Sequence, residues 1–157
     1  MSCMIREGDA APGFELPDHR GKMISLHSLR GQCVVLCFYP KNRLFGCPSK
    51  KVYKMARSMV AEYPQIRSAG AEVLAISSDT VADQAKFVRD WNIPYAHLSD
   101  TTKETCRMYA GLNMARLAKR STFVIDPQGK VARILRDIDV STHGVDVLNA
   151  VQSVAPR

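Results

Sequence analysis

The 157-residue chain contains no apolar run approaching the roughly 20 residues that are needed to cross a bilayer. Its N-terminus, Met-Ser-Cys-Met-Ile-Arg-Glu-Gly-Asp, lacks the apolar segment of a signal peptide. Cysteine is also scarce, and the odd number of five argues against a secreted disulfide framework. These absences predict that the protein has no membrane partner and resides in a reducing cytoplasm.

The net charge of +7 is not arranged as a nucleic-acid-binding surface. Lysine and arginine are scattered, and no predicted helix carries a long basic face with interleaved aromatic residues, which argues against a nucleic-acid partner. The positive charge instead favours the approach of anionic substrates or acidic partner proteins. No two histidines have metal-ligand spacing, so we expect neither a metal site nor another cofactor. The histidines are His19, His27, His97 and His143.

The composition, with 46% hydrophobic and 24% charged residues, is ordinary for a globular protein and predicts a single domain over residues 1–157. The continuous apolar run Cys33–Tyr39 is predicted to be a core strand covered on both faces, and Ala71–Ser77 is predicted to be a second core strand. Strands alternate with helical patterns, and a hairpin and a last helix follow. This order predicts an α/β fold in which helices flank a central mixed β-sheet.

Periodicity and turn residues predict the other elements. We expect Pro64 to kink or end the first helix, because proline lacks the amide hydrogen that a helix interior requires. The second helix is expected to bury Val81, Ala85, Phe87, Val88 and Trp91. The predicted segments are a turn at Asp18–Gly21, helices beginning at Pro48 and Asp79, a short strand at Tyr95–Leu98, a helix capped at Ser99–Asp100 and reaching Tyr109, a hairpin of Ser121–Asp126 with Lys130–Arg136, and a helix at Val145–Val154.

Cys47 is the strongest candidate for a reactive group. It ends the loop that follows the strand Cys33–Tyr39 and precedes the helical pattern that begins at Pro48. A free thiol is only about 3% ionised at pH 7, and the thiolate is the nucleophile. The first turn of a helix favours an anion, because it offers unpaired amide hydrogens and a partial positive charge. Positive side chains nearby in sequence favour the thiolate further; they are Arg43, Lys50, Lys51 and Lys54.

The other cysteines fit packing better than catalysis. Cys33 and Cys37 lie ~13 Å apart along an extended strand, whereas a disulfide permits at most about 7 Å between Cα atoms. Both are therefore predicted to be core residues. Cys106 is predicted to pack within its helix. A resolving role for Cys106 or Cys3 remains open.

Several ordered segments carry a resemblance to a known family: Gly8–Pro17, Ser25–Gly31, Val34–Lys41, Gly46–Cys47, Gly70–Ser77, Leu98–Asp100 and Arg120–Asp126. Over residues 7 to 155 the chain resembles the peroxiredoxins of the AhpC/TSA group, specifically the bacterioferritin comigratory protein (PrxQ) type. The resemblance implies a thioredoxin-like fold and the reduction of hydroperoxides. It also implies a monomer or a homodimer.

The resemblance further implies roles for individual residues. The Cys47 thiolate would attack the peroxide O–O bond and become a sulfenic acid, while water or an alcohol is released. Pro40 would shield the cysteine, and Arg120 with the amide groups near Gly46–Cys47 would hold the peroxide oxygens. Thioredoxin or another external thiol would then regenerate Cys47.

Three positions depart from the family pattern and leave two hypotheses open. Leu44 replaces a Thr or Ser whose hydroxyl hydrogen-bonds near the cysteine, Lys50 replaces a Glu, and Val52 stands where many PrxQ-type proteins have a resolving cysteine. Leucine can neither donate nor accept a hydrogen bond. One hypothesis is a peroxidase without a dedicated resolving cysteine nearby. The other is a thioredoxin-fold redox-sensing or binding protein that retains Cys47 but has lost efficient turnover.

Overall fold

The computed structural model describes residues 4–44 and 47–154, with positions 44 and 48 described by their backbone only. The strands are β1 (Glu15–Pro17), β2 (Met23–Ser25), β3 (Cys33–Phe38), β4 (Arg43–Leu44), β5 (Cys47–Pro48), β6 (Ala71–Ser77), β7 (Ala96–Ser99), β8 (Ser121–Ile125) and β9 (Val131–Leu135). The helices are α1 (Lys50–Ser68), α2 (Val81–Trp91), α3 (Glu104–Tyr109) and α4 (His143–Val154), with a short 3-10 helix at His27–Leu29. Within the described ranges, none of the helices has the length and apolarity that crossing a membrane requires.

The core of the fold is a five-stranded sheet in the order β7-β6-β3-β8-β9. Strand β3 pairs parallel with β6 and antiparallel with β8, so the predicted mixed sheet is confirmed. Every residue of β3 is buried, which explains its continuous apolar sequence. Alternate residues of β3 contribute to two apolar clusters on opposite faces of the sheet, one formed largely with α1 and α4.

Helices α1 and α4 pack together on one face of this sheet. Helix α1 buries the predicted stripe that contains Val52, Met55 and Met59. At the start of α4, Gly144 is required, because a Cβ atom at this position would overlap the Ser58 carbonyl group of α1. The amide of Gly144 donates to Ser58 Oγ at 2.8 Å. This close approach fixes the start of α4 against the middle of α1.

The predicted start of α1 is wrong, and so is one of the two outcomes predicted for Pro64, that it ends the helix. The helix begins at Lys50 rather than Pro48, because Ser49 is the N-cap and accepts a hydrogen bond from the Val52 amide at 3.3 Å. Pro64 does not end the helix, which continues through Ser68. A proline removes one internal hydrogen bond, and the complete burial of Ile66 in the core favours continuation of the helix.

The predictions for α2 and α3 also need correction. Of the residues predicted to be buried on α2, only Phe87 is buried. Val81, Ala85 and Val88 are partly buried and Trp91 is 40% exposed, whereas the fully buried polar residue on that helix is Gln84. Helix α3 begins at Glu104, later than Ser99–Asp100, because Ser99 continues β7 as the partner of Ser77. The hairpin of β8 with β9, the turn at Asp18–Gly21 and the last helix are confirmed.

Candidate active site

Cys47 lies in a short hairpin at the carboxyl end of β3. Strands β4 and β5 form this hairpin, in which Cys47 is the antiparallel partner of Leu44. Its tip and the amide of Gly46 lie outside the described residues, as does the Leu44 side chain. The Cys47 side chain is exposed. Cys47 therefore precedes the Ser49 N-cap of α1 by two residues, whereas the sequence predicted that the helix would begin directly after Cys47, at Pro48.

Two amides near the start of α1 already have partners. The Val52 amide donates to the Ser49 side chain at 3.3 Å, and the Tyr53 amide donates to the Ser49 carbonyl at 3.0 Å. These two amides are thus directed to Ser49 and not to Cys47. Positive charge remains close, because the first turn of α1 contains no acidic residue and both Lys50 and Lys51 are exposed.

Asn42 anchors the hairpin at both of its ends. Its amide donates to Asp79 Oδ2 at 3.0 Å, and its carbonyl accepts from the Ser49 amide at 3.0 Å. The Asn42 side-chain amide donates to Gln84 Oε1, also at 3.0 Å. The base of the hairpin that carries Cys47 is therefore held by one buried polar cluster, which we call the anchor and which includes Asn42, Asp79 and Gln84.

Gln84 is the centre of that anchor. The Tyr39 hydroxyl donates to Gln84 Oε1 at 2.9 Å, and Gln84 Nε2 donates to Ser77 Oγ at 3.0 Å and to the Leu98 carbonyl at 2.8 Å. The Ser77 hydroxyl donates to Asp79 Oδ2 at 2.6 Å, and burial raises the pKa of the Asp79 carboxyl. The sequence analysis missed Gln84. The sequence indicates its role only by its spacing: Gln84 is a polar residue three positions after Val81, on the helical stripe that was predicted to be buried.

Arg120 and Pro40 lie at the same end of β3 as the hairpin. Phe38 is the antiparallel partner of Ser121, so Arg120 flanks Tyr39, and Pro40 follows directly. The Arg120 side chain is partly buried, and its Nε has no hydrogen-bond partner among the described residues. Burial lowers the pKa of the guanidinium. A desolvated guanidinium with an unused N–H group is suited to an anion.

His143, the first residue of α4, is a buried group that the sequence analysis did not associate with this site. Its Nε2 lies 2.7 Å from Thr122 Oγ1 on β8. Burial lowers the pKa of His143 to about 4, and the positive charge of Arg120 acts in the same direction. A neutral histidine therefore packs near the guanidinium.

The remaining described cysteines are free and buried. Burial raises the pKa of Cys33 to about 11 and that of Cys37 to about 12, and it also raises the pKa of Cys106. The prediction that Cys33 and Cys37 are core residues is confirmed. Cys3 lies outside the described residues. Of the cysteines that the structure describes, Cys47 alone combines exposure with a loop position.

Comparisons with known proteins agree with the fold. The family model described as the AhpC/TSA family matches residues 7–134. A putative peroxiredoxin bcp of Coxiella burnetii is 34% identical over 151 residues, which cover 92% of this chain and 97% of that protein.

Two solved structures are similar along nearly their whole length. Peroxidoxin BcpB from Mycobacterium tuberculosis has a TM-score of 0.84 at 28% identity, with 96% of this chain and 98% of that chain covered. The bacterioferritin comigratory protein of Xanthomonas campestris has a TM-score of 0.84 at 25% identity, with 94% and 100% covered. The thioredoxin-like fold is therefore confirmed. The chain belongs to the AhpC/TSA family, among the peroxiredoxins of the Bcp and PrxQ type.

Proposed function

We propose that this peroxiredoxin reduces hydrogen peroxide and organic hydroperoxides through Cys47. The observation that carries the proposal is the position of Cys47, which is exposed in a hairpin at the end of β3 where Arg120 also lies. Alkyl peroxide reduction is an activity of the Xanthomonas campestris bacterioferritin comigratory protein, which shares this fold. Family membership and the names of the relatives do not favour the alternative of a redox-sensing or binding protein without turnover.

The proposed reaction begins with the Cys47 thiolate as nucleophile. Its sulfur attacks one peroxide oxygen, the O–O bond breaks, and the other oxygen leaves as water or an alcohol after it takes up a proton. Cys47 is oxidised to a sulfenic acid, and the peroxide is reduced. The unused Nε–H of Arg120 would stabilise the negative charge that develops on the oxygens. Pro40 would cover one side of the cysteine.

We assign regeneration to an external thiol, such as that of a thioredoxin. Cys106 is fully buried in α3, and Val52 is buried in α1 at the position where a nearby second thiol would have been expected. The exposed Cys47 is open to a thiol from solution. The external thiol would form a mixed disulfide with Cys47 and release water, and a second thiol would then free Cys47.

Three further assignments remain part of the proposal. A cytoplasmic location is supported by the odd and modest number of five cysteines, which argues against a secreted disulfide framework. A single thioredoxin-like domain over residues 1–157 is supported by apolar clusters on both faces of one sheet. The protein is proposed to act as a monomer or a homodimer.

A coupled peroxide-consumption assay tests the proposed function. Purified protein is mixed with hydrogen peroxide or cumene hydroperoxide, with either thioredoxin or dithiothreitol as the reductant. We expect catalytic consumption with both reductants. Consumption no faster than in a protein-free control would contradict the proposal.

A further inference from the structure

We propose that a basic, partly aromatic surface beside the Cys47 hairpin docks an acidic dithiol protein that reduces Cys47. We call it the α1–α2 surface; it comprises Tyr53, Arg57, Val60, Trp91 and Ile93. The inference rests on the proposed function, in which an external thiol regenerates Cys47. It adds the place where that thiol protein binds and the charge that it carries.

The N-terminal half of α1 carries an excess of unpaired positive charge. Its cationic side chains are all exposed, and the first acidic residue of the helix is Glu62; the cations are Lys50, Lys51, Lys54 and Arg57. Among the described residues, α1 forms an ion pair only through Arg67, near its other end. On the adjacent α2, Lys86 pairs with Asp90 at 2.8 Å within the helix. The excess charge of α1 is therefore available to an acidic partner.

One exposed and one partly buried aromatic ring lie next to this charge. The rings of Tyr53 and Trp91 are 4.1 Å apart between centroids, and Trp91 is 40% exposed. They border a cleft of about 320 Å³ that Arg57, Val60 and Ile93 also line. Tryptophan, tyrosine and arginine are the residue types that most often dominate binding at protein interfaces.

The α1–α2 surface is continuous with the Cys47 hairpin. Trp91 and Arg43 both line a second cleft, of about 80 Å³. The charged residues of this cleft have both signs, so the excess positive charge is on α1; they are Lys41, Arg43, Lys86, Asp79, Asp83 and Asp90. Arg43 is the strand partner of Pro48, which follows Cys47. A partner seated against Trp91 thus reaches the hairpin that presents the thiol.

The length of this surface favours a protein over a small thiol. From Lys50 to Val60, eleven residues of α1 extend over ~15 Å. A small thiol that reacts with Cys47 would not cover this distance. A protein with acidic side chains around its own thiol would contact Cys47, the aromatic rings and Arg57 together.

One dithiol protein supplies both electrons that are needed to reduce the Cys47 sulfenic acid to the thiol. Its first thiolate attacks the sulfur of the Cys47 sulfenic acid, and a mixed disulfide forms as water leaves. The second thiol of the same dithiol protein then attacks that protein's first sulfur in the mixed disulfide. This step releases Cys47 as a thiol and leaves the partner oxidised to a disulfide.

Docking can be measured without any peroxide. In a Cys3→Ser background, Cys47 is converted to its mixed disulfide with thionitrobenzoate, and release of the coloured thiol is followed after addition of an acidic thioredoxin at low salt. We expect Arg57→Glu to slow release about 10-fold and Trp91→Ala to slow it by a similar factor. Arg133→Glu, at an exposed position on β9, makes the same charge change away from the surface and should leave the rate within about two-fold.

Dithiothreitol, which is uncharged and small, should reduce all four proteins at the same rate. Equal rates with the acidic thioredoxin for wild type, Arg57→Glu and Trp91→Ala would overturn the docking proposal. So would an equal slowing by Arg133→Glu, or a slowing that dithiothreitol also shows. Because this assay uses no peroxide, its outcome is separate from failure of the peroxidase function, which would appear as absent peroxide consumption with both reductants.

Discussion

Strand β3 and the β4–β5 hairpin that follows it each contain a cysteine, but the surroundings of the two cysteines are opposite. Cys37 lies inside β3, covered on both faces of the sheet, and burial raises its pKa to about 12. Ten residues later, Cys47 lies in an exposed hairpin beside cationic side chains. The comparison shows that the strand protects its thiols by desolvation, whereas the hairpin that follows it presents one to solvent.

A cysteine-by-cysteine comparison should give the largest difference. Cys47→Ser removes the proposed nucleophile, and we expect peroxide turnover to fall by about 10³-fold or more. Cys37→Ala should keep turnover but lower the free energy of unfolding by about 1–2 kcal/mol, because it leaves a cavity in the core. The measurements are steady-state kinetics and urea denaturation. A Cys37→Ala variant as inactive as Cys47→Ser, yet folded, would break the distinction between the two regions.

Substitution of Arg120 tests which side chain near the hairpin makes Cys47 reactive towards peroxide. Arg120→Met removes the unused N–H donor, and the rate of Cys47 oxidation should fall about 10²-fold. The matched control is Arg133→Met, at an exposed position on β9. Arg120→Lys should restore little, because an ammonium lacks the planar fork. Stopped-flow fluorescence after addition of peroxide measures the rate. Equal rates for Arg120→Met and Arg133→Met would exclude Arg120 from the reaction.

The buried region has its own pH signature. Burial lowers the pKa of His143 from 6.5 in the unfolded chain to about 4 in the folded protein. Between pH 6.5 and pH 4, His143 therefore binds a proton in the unfolded chain but not in the folded protein. Stability is therefore complete above pH 6.5 and is lost as the pH falls towards 4, by about 1.4 kcal/mol per pH unit. Urea denaturation between pH 7 and 4 measures this slope.

The control for that slope is a pair of histidine variants. His143→Gln should make the slope shallower, whereas His27→Gln, at an exposed position, should leave it unchanged. His97, whose pKa burial lowers to about 3, should maintain part of the slope in both variants. An identical slope in wild type and His143→Gln would show that His143 does not titrate as its burial requires.

A smaller effect is expected from Leu44→Thr in the hairpin. The family places a hydroxyl here, and restoring it should add a hydrogen bond worth ~1.5 kcal/mol in the transition state, or about 10-fold in the rate of Cys47 oxidation. Leu44→Val provides a branched side chain without the hydroxyl. A fast wild type that neither substitution changes would mean that another donor already serves the peroxide.

The fold was predictable because its main signals are local. The run that became β3 is continuously apolar because both faces of the strand are covered, and β6 is apolar apart from Glu72 and Ser77. The bounds of both strands agree with the sequence prediction to within one residue. The β8–β9 hairpin was predictable from its turn residues. Pro64 was misjudged because packing further along α1 outweighed a local preference.

The site was less predictable because contacts that are distant in sequence position it. Asn42 reaches Asp79 and Gln84, which are 37 and 42 residues away in the chain, and these contacts fix the base of the hairpin. Nothing in the loop itself indicates that Cys47 would pair in a two-residue strand rather than begin α1. The identity of the reactive cysteine was predictable from its loop. Its local geometry depended on the anchor.

The most direct test of the difference between Cys47 and the core thiols is mass spectrometry with a sulfenic-acid trap after brief exposure to peroxide. We expect the trap on Cys47 alone, because burial keeps Cys33, Cys37 and Cys106 protonated and away from solvent. Labelling of those three cysteines at the level of Cys47, in protein that remains folded, would contradict the assignment of Cys47 as the peroxide-reactive thiol.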